Sequence, residues 1–112
     1  MLNIAIVIFL VAALGGLFMA TQIFRDRKPA MAIALLHGPL AAVGILLVFW
    51  LWMQSQASLV VSIALGALVI AALGGFFLFS FHLRDKPHPK AVVVLHALLA
   101  VTGVSALVVA AL

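Results

Sequence analysis

The sequence predicts an all-α integral membrane protein: a four-helix bundle made from a duplicated helical hairpin. Three observations carry that reading. Hydrophobic residues make up 69% of the 112-residue chain and charged residues 7%, where a water-soluble domain is nearer half apolar and a quarter charged. The charged side chains fall in two short clusters, Arg25–Lys28 and Arg84–Lys90, with uncharged sequence between and around them. The two halves align without gaps at an offset of 59 residues. The same hydrophobicity excludes a disordered chain.

Each element follows from length. A helix needs about 20 apolar residues to cross ~30 Å of hydrocarbon at 1.5 Å per residue. The first span is predicted from about Leu2 to Phe24. No basic region precedes it, and Arg25 follows it where a small-residue cleavage site would stand, so it reads as a retained helix and not a signal peptide. The second runs from about Ala30 to Met53, the third from about Ser58 to Leu83 and the fourth from about Lys90 to Leu112. The links are short, so an up-down-up-down bundle is expected. The result is one transmembrane domain over 1–112, with halves of about 1–53 and 58–112. Both basic links fall on one side, and the middle link Gln54-Ser55-Gln56 is uncharged. The positive-inside rule then puts the basic links in the cytoplasm and both termini outside, in a cell's plasma (inner) membrane. Trp50 and Trp52 fall at the outer end of the second span, where indoles favour the interface.

Several function classes drop out. The net charge of +4 marks topology, not nucleic-acid binding, because no water-facing domain is available to carry a basic stripe. There is no cysteine, which removes disulfides, thiol catalysis and Cys-ligated metals. No nucleophilic triad or paired-carboxylate arrangement is present. Asp26 and Asp85 sit beside arginines at the ends of spans, so no span holds the buried acid expected of a proton-coupled pump. Two imidazoles are too few for a closed zinc site.

The repeat carries the informative residues. Ala13-Leu14-Gly15-Gly16 matches Ala72-Leu73-Gly74-Gly75, Arg25-Asp26 matches Arg84-Asp85, Leu36-His37 matches Leu95-His96, and Gly44 matches Gly103. Each copy has two spans and starts on the same side, so the copies are parallel and equivalent residues share one depth. His37 and His96 are thereby expected ~10–12 Å inside the span ends, able to turn toward each other across the pseudo-twofold axis. An ionisable residue in a span is a functional candidate by default. Ala41 and Gly44 share the face of His37, as Ala100 and Gly103 share that of His96. Gly15, Gly16, Gly74 and Gly75 fall near the same depth. The bundle is expected to be hollowed around two imidazoles.

A flat macrocycle would fill such a slot, with His37 and His96 as the two metal ligands of one haem b. Arg25 and Arg84 are then repeat-related partners for its propionates. A second reading stays open beside this one. Small residues also let bare helices pack closely, and a membrane histidine also hydrogen-bonds across helices. For Arg25 and Arg84 the stronger reading is a topology anchor with a local Asp26 or Asp85 partner.

The strings His37-Gly38-Pro39-Leu40-Ala41-Ala42-Val43-Gly44 and His96-Ala97-Leu98-Leu99-Ala100-Val101-Thr102-Gly103 resemble the His-x-x-Leu-x-x-x-Gly segments of the cytochrome b-561 family. The resemblance covers these two segments of the chain. It implies a transmembrane bundle that binds haem b through paired histidines and moves electrons across or into the membrane. Transmembrane members of that family carry four ligand histidines for two haems. Here the outer half has none, so the resemblance implies one haem per chain, with any second centre supplied by a partner.

The function expected is a small membrane b-type cytochrome, an electron carrier more than an enzyme. It would pass electrons between a quinone or soluble donor and a partner redox protein. The alternative is a haem-free structural or assembly subunit of a larger membrane complex. Its partners are the lipid bilayer and other membrane subunits or a second copy of itself. A dimeric transporter is a third class, disfavoured by uncharged spans. His82 and His88 flank the second cluster opposite Ile23 and Pro29 in the repeat, so the duplication does not support them as ligands. Proton uptake or quinone contact is their functional alternative to a plain interfacial place. Phe76, Phe77, Phe79 and Phe81 are expected in lipid contact and packing. Pro39 is expected to kink the second span.

Overall fold

The computed structural model describes residues 1–54 and 58–112. It is all helical: α1 Leu2–Phe24, α2 Met31–Met53, α3 Leu59–Leu83 and α4 Lys90–Ala111. All four helices are long and apolar enough to cross a membrane. Three of the eight predicted ends differ, each by one residue: the starts of α2 and α3 and the end of α4. Ala30 is the extended N-cap that follows Pro29. Ser58 is likewise extended, and its hydroxyl accepts the Val61 N–H at 3.1 Å, which makes it a cap and not a helical residue. Of the middle link, Ser55 and Gln56 lie outside the described residues.

The helices form a square, with extents of 43 × 23 × 21 Å. The extensive contacts are α1 on α2 and α3 on α4. The seams α2–α3 and α1–α4 are slimmer, and among the described residues the diagonal helices do not approach. The packed core lies at the end away from the basic turns. It consists of Ala5 and Phe9 from α1, Val48 from α2, Val61, Ala64 and Leu68 from α3, and Leu107 from α4. Most other large apolar side chains point outward, among them Leu14, Leu17, Phe76 and Leu95. Helices apolar all round suit a lipid surround, where association rests on close packing and hydrogen bonds more than on hydrophobic burial.

Both basic turns are built alike. After α1, Asp26 N–H donates to Ile23 O at 3.0 Å and Arg27 N–H to Gln22 O at 2.9 Å. After α3, Asp85 N–H donates to His82 O at 3.2 Å and Lys86 N–H to Phe81 O at 2.9 Å. This is the Schellman pattern, which needs a left-handed residue just past the helix and usually takes glycine there. Here aspartate occupies it, with φ 57° at Asp26 and 55° at Asp85. The aspartates do not pair with their neighbouring arginines. They reach across to the other hairpin, Asp26 to Lys90 at 3.0 Å and Asp85 to Lys28 at 2.7 Å. At the opposite end Trp52 Nε1–H donates to Ser62 Oγ at 2.9 Å, tying α2 to α3.

Candidate functional site

The site starts from two missing side chains. Gly16 has no Cβ; one placed there would come within 2.8 Å of His37 Cε1. The His37 ring therefore lies directly on the α1 backbone. Its Nδ1 is 2.7 Å from Ala12 O, a carbonyl one turn before Gly16. A carbonyl only accepts, so Nδ1 carries a proton and donates, and Nε2 is the ring nitrogen left facing away from that bond. In the second hairpin His96 Nδ1 is 2.7 Å from Ala71 O, and a Cβ on Gly75 would lie 3.2 Å from His96 Cε1. The same histidine–carbonyl contact thus occurs in both hairpins.

His37 is on α2 and His96 on α4, which are diagonal helices. Their rings nevertheless meet across the bundle axis, with centroids 6.2 Å apart and planes at 73°. Metal–imidazole bonds are about 2 Å long, so two histidines would hold a shared metal between rings a few ångströms apart. Metal-binding histidines characteristically donate their other ring N–H to a carbonyl or carboxylate, which fixes the tautomer and raises ligand basicity. Ala12 and Ala71 supply that partner. The ring separation is that of an edge-to-face imidazole contact and is also one at which two histidines could share a metal.

The remaining predicted residues divide. Gly15 and Gly74 stand beside the rings, 3.7 and 3.8 Å from His37 Cβ and His96 Nδ1 when a Cβ is added. Ala41 and Ala100 are half-buried. Gly44 and Gly103 are buried, but side chains fill the space beside them. A Cβ on Gly44 would lie 2.7 Å from Phe9 Cζ, and one on Gly103 2.6 Å from Leu68 Cγ. Both belong to the packed end of the bundle. Arg25 is exposed at the α1 C-cap. Arg84 lies 4.6 Å over the Phe81 ring and donates to Ser80 O and Oγ, each at 3.2 Å. The carbonyls of Ala12 and Ala71 escaped the sequence reading, since a backbone acceptor leaves no residue-type signal; the diglycines one turn later are the indirect one.

A second imidazole pair lies at the basic end. His82 is 3% exposed, stacked on Phe79 at 5.8 Å and 23°, with the His88 ring 5.9 Å away at 79°. Burial, the neighbouring His82 and the Lys28 charge hold the His88 imidazole below its ordinary pKa. The Lys28 hydrogen bond and charge hold the Asp85 carboxyl below the usual carboxylate range. Among the described residues no group of three or more metal-ligating side chains occurs. Comparisons with family models, curated proteins and solved structures return no match.

Proposed function

We propose that this chain is a duplicated hairpin acting as a small membrane b-type cytochrome, with His37 and His96 as the residues that would hold one haem b. One observation carries the reading. Two imidazoles on diagonal helices are each locked by Nδ1 to a helix carbonyl, and they meet at the bundle axis at a spacing suited to a shared metal. In a square bundle the plane midway between α2 and α4 runs along the α1–α3 diagonal. On α1 and α3 Gly16 and Gly75 let the His37 and His96 rings lie against the helix backbone.

Such a group takes up and releases one electron. The protein's part is to hold and insulate it. The Ala12 and Ala71 carbonyls orient the rings and hold the donor role on Nδ1, which leaves Nε2 as the atom that would meet a metal. The packed core from Phe9 to Leu107 closes the far end, and the outward leucines and phenylalanines keep the site in lipid. Electrons would pass between a quinone or soluble donor and a partner redox protein, with the basic turns in the cytoplasm of a plasma-membrane protein.

The test is optical. Protein purified in mild detergent should show sharp reduced α and β bands after dithionite. His37→Ala and His96→Ala should abolish them, and His82→Ala and His88→Ala should keep them. A colourless protein from haem-replete cells refutes the assignment. It would leave the second reading, a haem-free subunit of a larger membrane complex, which the Phe9–Gly44 and Leu68–Gly103 packing and the apolar exterior favour.

A further inference from the structure

Where the two basic turns meet they enclose a shallow cleft of about 310 Å³. Asp26, Arg27 and Lys28 line it from one hairpin, and Asp85, Lys86, His88 and Lys90 from the other. Four cations thus face two carboxylates. Both carboxylates are already engaged, Asp85 by Lys28 and Asp26 by Lys90. Among the described residues Arg27 and Lys86 meet no carboxylate. The cleft therefore keeps an excess of positive charge with two cations uncommitted.

We propose that this cleft binds a phosphate-bearing anion, with Arg27 and Lys86 as its ligands. Guanidinium matches two phosphate oxygens in one plane, and an ammonium serves as a compact point charge. The cleft opens at the ends of the spans, the depth at which lipid phosphates lie, and basic pockets between membrane helices there suit anionic headgroups. Dissolved phosphate offers the same chemistry. The proposal does not depend on haem.

His88 is a built-in reporter. Its ring lies 5.9 Å from the His82 ring and 6.4 Å from the Phe81 ring, in the cleft it shares with Lys28 and Asp85. Burial and the Lys28 charge are among the causes of its lowered pKa, and a bound anion opposes the second. The experiment follows the His88 imidazole by NMR titration in three settings: nanodiscs of phosphatidylcholine alone, nanodiscs with added phosphatidylglycerol, and the first kind with dissolved inorganic phosphate. Occupancy should raise its pKa, and Arg27→Gln with Lys86→Gln should abolish the rise while leaving the helical spectrum unchanged. A rise with phosphatidylglycerol identifies a lipid headgroup. A rise with dissolved phosphate alone identifies a free ligand. No rise with either, an equal rise with chloride at matched ionic strength, or a rise retained in the double variant overturns the proposal.

Discussion

A single methyl group at Gly16 puts the imidazole anchor to a quantitative test. In Gly16→Ala the new Cβ would sit 2.8 Å from His37 Cε1 and 3.2 Å from Nδ1. Regaining an ordinary contact of about 3.5 Å moves the ring off α1 by roughly 0.7 Å. The Nδ1–Ala12 O bond, now 2.7 Å, then stretches past the ~3.2 Å limit of a good N–H···O bond. That loss costs about 1 kcal/mol, and replacing glycine by alanine inside a helix returns about 0.8–1 kcal/mol. Thermal unfolding in detergent should therefore change little. The ring should change much more: the hydrogen-bonded Nδ1 proton of His37 should shift upfield in the NMR spectrum, and, on the cytochrome proposal, haem affinity should fall at least about tenfold, as when a ligand loses its outer partner. The effect should be graded. Gly75→Ala meets His96 Cε1 at 3.2 Å and should act more weakly, and Gly74→Ala, at 3.8 Å, hardly at all. An unchanged His37 signal in Gly16→Ala, or an equal effect at Gly74, would refute the anchoring argument.

Three further outcomes follow from the packing and the turns. Gly103→Ala should cost about 1–3 kcal/mol by overpacking and exceed Gly44→Ala. Its Cβ meets the branch carbon of Leu68 and the Ala64 carbonyl, whereas Gly44 faces the rim of the Phe9 ring; equal melting temperatures for the two variants would contradict this. Asp26→Ala and Asp26→Gly both lose the Lys90 pair, so their difference isolates the left-handed backbone. Glycine should be the more stable by about 1 kcal/mol in denaturant titration. Because the folded state holds the His88 pKa below 6.5, the unfolded chain binds more protons in that window. Stability should therefore rise with pH from the depressed value up to about 6.5 and then level off. His88→Gln should flatten that slope in melts run between pH 5 and 7, and an unchanged slope would assign it elsewhere.

The spans were legible because bilayer thickness, and not tertiary detail, sets their length. Every predicted end lies within one residue of the helix observed. The site was legible in residue type more than in contact. A helical face says which residues share a side, so Gly44 and Gly103 group with the histidines. It does not say what the neighbouring helix offers, and Phe9 and Leu68 occupy that space. The local Arg–Asp pairing read from adjacency gave way to Lys28 and Lys90. The left-handed turn puts each aspartate where the opposite hairpin's lysine reaches it, a geometry that adjacency in the chain does not convey. His82 had no repeat counterpart to mark it, and its burial comes from Phe79 and the loop carrying His88.

The crossed lysine–aspartate clasp bears on how such a molecule is put together. Each half contributes one base and one acid, and each is satisfied only by the other half. Cut between α2 and α3, the two pieces retain complementary ends and are suited to reassociate as separate polypeptides. The exchange is also self-complementary: two copies of the first half would present Lys28 to Asp26, and two copies of the second would present Lys90 to Asp85. A symmetric pair of identical hairpins could form the same closure, so joining two into one chain requires no new contact at that end.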